Sequence, residues 1–126
     1  MATNDDNPLV LLTDELLSAL PEIFSQEGDP DPIVYAKFFA PDSIWTWFIC
    51  EGRMEIFEDE GEFDYDFLFC GYTIGHSNGW GCFYLSGLEE TEGPWGLRIE
   101  RDLHFEPAPW SEVKKREQIN EGQPSA

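Results

Sequence analysis

Between Glu62 and Phe67 the chain alternates acid and aromatic: Glu62, Asp64 and Asp66 point one way in an extended strand, Phe63, Tyr65 and Phe67 the other. This predicts a half-exposed strand that runs on into the apolar FLFCGYTI. His76-Ser77-Asn78-Gly79 then has the chemistry of a hairpin turn, and Trp80–Leu85 reads as the next strand. Upstream, Ile33–Phe39 reads as a first strand, stopped by Ala40-Pro41-Asp42. Ile44–Cys50 (IWTWFIC) reads as a second, apolar on both faces and therefore central. Leu97, Ile99, Leu103 and Phe105 keep the period of two in a fifth strand, in which Arg101 is out of pattern.

Helical patterning is sparse. Thr13 can cap a short helix, TDELLSAL, with Asp14 and Glu15 at its positive end and Leu16, Leu17 and Leu20 as its apolar stripe. Ser86-Gly87-Leu88-Glu89 fits a capping box, and WSEVKKREQI predicts a terminal helix starting at Ser111. Gly28, Pro30 and Pro32 mark a loop. The expected fold is therefore α+β: a single domain with an antiparallel meander of four or five strands and short helices packed on it. The expected boundaries are a flexible lead-in over 1–10, the domain over 11–113, and a partly helical, frayed tail over 114–126.

Composition changes this picture in one respect. Hydrophobic residues make up 41% of the 126 positions and aromatics 15%, enough for a folded core. Yet 26 Asp and Glu face only 7 Lys and Arg, a net charge of −19. The charge is lopsided: residues 1–66 hold 17 acids and 2 bases, net −15, and residues 67–126 hold 9 acids and 5 bases, net −4. Seven acids fall within Glu55–Asp66 (EIFEDEGEFDYD). Such a surface repels nucleic acid and anionic lipid and attracts basic protein surfaces. No apolar run approaches the ~20 residues of a membrane span. The start, MATNDDNPLVLL, lacks the basic n-region of a signal peptide, so the expected location is the cytoplasm. Cys50, Cys70 and Cys82 each sit in an apolar run and read as buried free thiols of a reducing compartment.

The chemical motifs are weak. Cys70, His76 and Cys82 are spaced C-x5-H-x5-C, with Cys50 as a fourth ligand type, but structural zinc favours close cysteine pairs. His104-Phe105-Glu106 matches the H-x-E of zinc deaminases without the second cysteine motif that completes their metal site. Pro41-Asp42 with Glu112-Val113-Lys114 imitates a nuclease signature, with its second half in an expected helix. Asp29 and Asp31 are interleaved with prolines and do not form a calcium loop. Carboxylate pairs beside tryptophan suit a glycosidase, but so many acids make some close pair inevitable. Arg98, Arg101, Lys114, Lys115 and Arg116 hold five of the seven positive charges and are expected to pair with neighbouring acids such as Glu100, Asp102, Glu112 and Glu117. The reading is thus no enzyme, no catalytic residues, no metal and no cofactor.

The acidic stretch remains. Alternate residues on a strand lie about 6.6–6.8 Å apart, and two rises along one DNA strand span about 6.8 Å. A row of carboxylates such as Glu62, Asp64 and Asp66 therefore repeats at a phosphate-like spacing. The plainer reading is a solvated strand edge whose acids prevent aggregation.

The runs LLTDELLSALPEIFSQEGDPDPIVYAKFFAPDSIWTWFICEG, DFLFCGYTIG, WGCFYLSGLEE, GPWGLRIERDLHFEP and SEV occur in this order over residues 11–113. In this they resemble an uncharacterised family, a domain of unknown function, of small acidic proteins carried by bacterial conjugative elements, plasmids and phages. The segment RMEIFEDEGEFDY is longer and more charged than that resemblance leads one to expect. The resemblance brings no catalytic residues; it implies a mobile-element setting. There, by analogy, acidic proteins imitate DNA to inhibit host restriction or CRISPR enzymes. The expectation is a non-enzymatic inhibitor of anti-CRISPR or anti-restriction type. Its partner is a basic nucleic-acid-binding protein, such as a host nuclease or defence complex. The binding surface is Glu51, Glu55, Glu58, Asp59, Glu60, Glu62, Asp64 and Asp66, with Asp29 and Asp31 beside it. The alternative is a protein–protein adaptor that uses an exposed aromatic patch at Trp95 or Trp110 and keeps its acids for solubility.

Overall fold

A computed structural model describes residues 6–120; the outermost parts of the expected lead-in and tail, 1–5 and 121–126, lie outside the described residues. The fold is α+β in a single domain. A five-stranded antiparallel sheet contains β2 (Ala36–Phe39), β3 (Thr46–Asp59), β4 (Glu62–Ile74), β5 (Gly79–Tyr84) and β6 (Glu100–Arg101), in the order β5-β4-β3-β2-β6. A two-stranded sheet pairs β1 (Ile33–Val34) with β7 (Ala108–Pro109). Helices α1 (Asp14–Ala19), α2 (Leu85–Glu90) and α3 (Trp110–Glu117) complete the fold. No helix among the described residues is long and apolar enough to cross a membrane.

The meander follows the patterning, and α1 begins where expected: the Thr13 hydroxyl accepts the Leu16 N–H at 3.0 Å. Both faces of the central strands are buried. On one face Phe38, Trp47, Ile49, Phe67 and Phe69 pack with Leu11 and Leu16, which belong to α1 and the segment before it, and with Leu88 and Ile99. On the other, Phe48, Cys50 and Tyr72 pack with Trp110 and Val113 of α3. Burying this much aromatic surface offsets the self-repulsion of a strongly acidic chain.

Several elements depart from expectation. The first strand divides at Tyr35 because its halves take different partners: Ile33 and Val34 pair with Pro109 and Ala108, whereas Ala36–Phe39 pair with β3. The fifth strand shrinks to Glu100–Arg101, opposite Phe39 and Phe38. Arg101 is out of apolar phase because its guanidinium does other work: Nε donates to the Val10 carbonyl at 2.8 Å and Nη2 to Asn7 at 3.3 Å, tying down part of the expected flexible lead-in. Elsewhere among the expected acid partners, Asp102 and Glu117 pair with Lys37, and Arg116 donates to the Glu106 carbonyl. The capping box at Ser86 does not form. Helix α2 starts one residue earlier without a side-chain cap, and the Ser86 hydroxyl donates to Asp66. Helix α3 also starts one residue early, at Trp110. Its cap comes from another segment: the Asp31 carboxylate accepts the Ser111 N–H and hydroxyl, each at 2.7 Å.

The expectation of three free thiols is overturned. Cys70 and Cys82 form a disulfide between β4 and β5, and Cys50 alone is free. The reason is register. The two cysteines lie directly opposite in the β4–β5 pairing, on one face of the sheet, with Cα atoms 4.1 Å apart. Cys50 occupies a β-bulge: Ile49 faces Gly71, Glu51 faces Cys70, and Cys50 is the extra residue between them. Burial, aided by the neighbouring Glu51 charge, pushes the Cys50 thiol up to about 12. At pH 8 roughly one molecule in ten thousand then carries the reactive thiolate. Native protein treated with iodoacetamide at pH 8 should therefore keep its mass, and denatured protein with its disulfide intact should gain one adduct. An adduct on the native protein would contradict the burial of Cys50.

Candidate functional site: a two-faced acidic arm

The second half of the acidic segment is the expected half-exposed strand, and its first half, for which no strand is expected, is paired strand as well. β3 and β4 continue to a two-residue turn at Glu60-Gly61, with φ of 51° and 82°. Positive φ at both positions suits the twist of a tight hairpin, and glycine at the second supplies it without a Cβ penalty. β2 pairs with β3 only as far as Ile49, and β5 pairs with β4 only from Leu68. Residues 53–67 are thus a two-stranded arm without a flanking strand on either side.

Register sorts the arm into two chemistries, because residues opposite each other share a face. One face pairs Met54 with Phe67, Ile56 with Tyr65 and Glu58 with Phe63. Phe67 is buried at the base, whereas Met54, Ile56, Phe63 and Tyr65 are 49–67% exposed. The other face pairs Glu55 with Asp66, Phe57 with Asp64 and Asp59 with Glu62. Two of these three are like-charge pairs, which destabilise a hairpin. The local compensation is partial. Arg53 reaches Glu55 at 3.2 Å, and Asp66 accepts from Ser86 and from the Phe67 N–H at 2.8 Å. Partial burial acts to raise the Asp66 carboxyl, but the hydrogen bonds from Ser86 and Phe67 prevail and lower it, so it remains ionised. Phe57 rests edge-on against Tyr84, 5.9 Å between centroids, which anchors the arm to β5.

The expected binding residues divide accordingly. Glu55, Asp59, Glu62, Asp64 and Asp66 share one face, Glu60 stands in the turn, and Glu58 lies on the apolar face opposite Phe63. Glu51 does not join this surface. It is 7% exposed, and its carboxylate accepts the backbone N–H groups of Phe24 and Gln26 at 2.8 and 2.7 Å. Asp29 and Asp31 belong to the loop before β1. Asp29 accepts the Asp31 N–H, and Asp31 caps α3, whose Ser111 hydrogen bonds hold its carboxyl below the usual range. The alternative aromatic patch also divides. Trp95 is 84% exposed, in a loop whose Trp95 N–H donates to Asp42 at 2.8 Å, whereas Trp110 is 2% exposed and belongs to the core. The apolar face with Met54 and Ile56 escaped sequence reading. Its signal was present, since the Glu60-Gly61 turn sets both residues in phase with Tyr65 and Phe63.

One residue in each of two weak motifs has a packing or hydrogen-bonding contact. His76 packs edge-on against Trp45, and Asp42 holds the Trp95 loop. Among the described residues, no three His, Cys, Asp or Glu side chains are grouped to hold a metal ion.

Comparison with known proteins adds a family and no activity. No curated protein matches, and no solved structure matches. A family model described as "Protein of unknown function (DUF2958)" matches residues 11–115, from the segment before α1 into α3, and the chain belongs to that family.

Proposed function

We propose that this protein is a non-enzymatic binding protein whose acidic arm docks on a basic, nucleic-acid-binding protein and competes there with nucleic acid. This is the action of a DNA-mimic inhibitor of a host defence enzyme, of anti-CRISPR or anti-restriction type, carried by a mobile element or phage. The observation that carries the reading is the pair of like-charge cross-strand contacts, Glu55 with Asp66 and Asp59 with Glu62, on a face that also presents Asp64. A hairpin that opposes acid to acid gives up stability that a neutral arm would keep. Basic side chains on a partner would relieve that repulsion, and the strand repeats its carboxylates every ~6.6–6.8 Å, about two base-pair rises along the DNA axis. Long-range attraction would make association fast and sensitive to salt.

The apolar face supports the second reading, a protein–protein adaptor. Met54, Ile56, Phe63 and Tyr65 form an apolar strip on an arm that the body of the domain leaves open. The two faces are separable by mutation. Reversing Glu55, Asp59, Glu62 and Asp64 to lysine should weaken capture of the partner by about 100-fold or more, with little change in melting temperature. Replacing Ile56 and Tyr65 by serine should weaken it less and leave its salt dependence intact. If the lysine variant binds as well as the native chain and the serine variant does not, the adaptor reading replaces the inhibitor.

A further inference from the structure

A second site lies away from the acidic face. A cavity of about 530 Å³ opens between the loop before β1, the face of the sheet that carries the disulfide, and the start of α3. Its volume falls in the range of ligand sites. Its walls are Trp80, Trp110 and Phe24. Trp80 and Trp110 meet edge to face, 5.2 Å between centroids, with Tyr72 packed against both. Phe24 is held at φ 65°, a left-handed conformation uncommon for a bulky residue, where its N–H donates to Glu51.

Glu51 is the informative group. It lines the cavity, is more than nine-tenths buried, and accepts two backbone N–H bonds. The ion pairs of Lys37 with Asp102 and Glu117, and of Arg53 with Glu55, do not involve Glu51. A buried carboxylate without a cation is costly, and each of its oxygens retains capacity to accept another hydrogen bond. Glu27 and Asp29 also line the cavity against one lysine, Lys114, so its lining is net negative. The ammonium of Lys114 stands 5.9 Å from the Trp110 ring centre, so the chain itself already places a cation on this aromatic wall.

We propose that this cavity binds a guanidinium group on an aliphatic stem, such as an arginine side chain of a polypeptide or a free guanidino compound. Guanidinium fits better than ammonium. It is planar and weakly hydrated, stacks on indole, and presents a fork of N–H donors to a carboxylate. The stem would lie along Trp80 and Phe24, with the fork on Glu51. The site is independent of the arm and stands or falls without it.

The test is an NMR titration of isotope-labelled protein in 150 mM NaCl, following the indole N–H signals of Trp80 and Trp110 and the amide of Gly61 at the arm tip. The probes are acetyl-Gly-Arg-Gly-amide, the same peptide with neutral citrulline, and agmatine. Saturable shifts at Trp80 and Trp110 should appear with the arginine peptide at a concentration at least tenfold below that needed with citrulline. Agmatine distinguishes the sources: weaker binding than the peptide assigns the site to polypeptide arginine, and equal or tighter binding to a free compound. Glu51→Gln should lose at least tenfold in affinity for the arginine peptide. Because that change also touches the Phe24 loop, the arginine–citrulline comparison on the native protein decides. Equal response to arginine and citrulline, no response at the two tryptophans, or shifts confined to the arm would overturn the proposal.

Discussion

Trp110→Ala should lower the unfolding free energy by about 3–5 kcal/mol, the usual cost of deleting a buried aromatic ring. The indole is 2% exposed and packs against Tyr72, Trp80 and Phe48 at 4.8, 5.2 and 5.6 Å between centroids. It joins α3 to the sheet; the backbone N–H of residue 110, which donates to the Pro32 carbonyl at 2.8 Å, is kept in the alanine variant, so the loss is one of ring packing. For a domain of this size the melting temperature should fall on the order of 10–20 °C. Trp95→Ala is the matched control. That ring is 84% exposed, and its removal should change stability by no more than about 0.5 kcal/mol. Thermal melts of the two variants decide whether Trp110 belongs to the core or to a binding patch.

Gly71→Val should cost about 3 kcal/mol or more, at the upper end of overpacking effects. A Cβ at residue 71 would overlap the Phe48 carbonyl oxygen and press on the Ile49 backbone, where β3 bulges at Cys50. Backbone in the centre of a sheet cannot rotate aside as a side chain can. The neighbouring Gly81→Ala meets nothing within 4 Å and should stay within about 1 kcal/mol of the native chain. Chemical denaturation of both variants provides the measurement. A Gly71→Val protein as stable as Gly81→Ala would contradict the bulge.

The meander was legible in the sequence because strand periodicity is a local signal. Trp45–Cys50, Phe67–Ile74 and Trp80–Tyr84 carry apolar residues on both faces or in strict alternation, and turn residues separate the later pair. What was not legible depends on partners distant in sequence. The break at Tyr35 comes from the pairing of β1 with β7, and the cap of α3 comes from Asp31, 80 residues away from Ser111. Asp66 diverts Ser86 from its capping box across 20 residues. The disulfide was half visible: Cys70 and Cys82 stand equally far from His76, so a hairpin turning near that residue sets them opposite. The acidic surface was legible as alternation over Glu62–Asp66. Its division was not, because the faces of Glu55, Glu58 and Asp59 follow from a two-residue turn at Glu60-Gly61. Likewise Glu51 carries the same charge as its neighbours, and only the bulge before it and the returning Phe24 loop bury it.

The most direct test of the acidic arm is a pull-down from bacterial lysate with the native protein as bait, at rising salt and with duplex DNA as competitor. The account predicts capture of a nucleic-acid enzyme that both salt and DNA release, and that the lysine-reversed arm does not capture. A partner that stays bound through high salt and excess DNA would contradict it and assign the binding to apolar contacts.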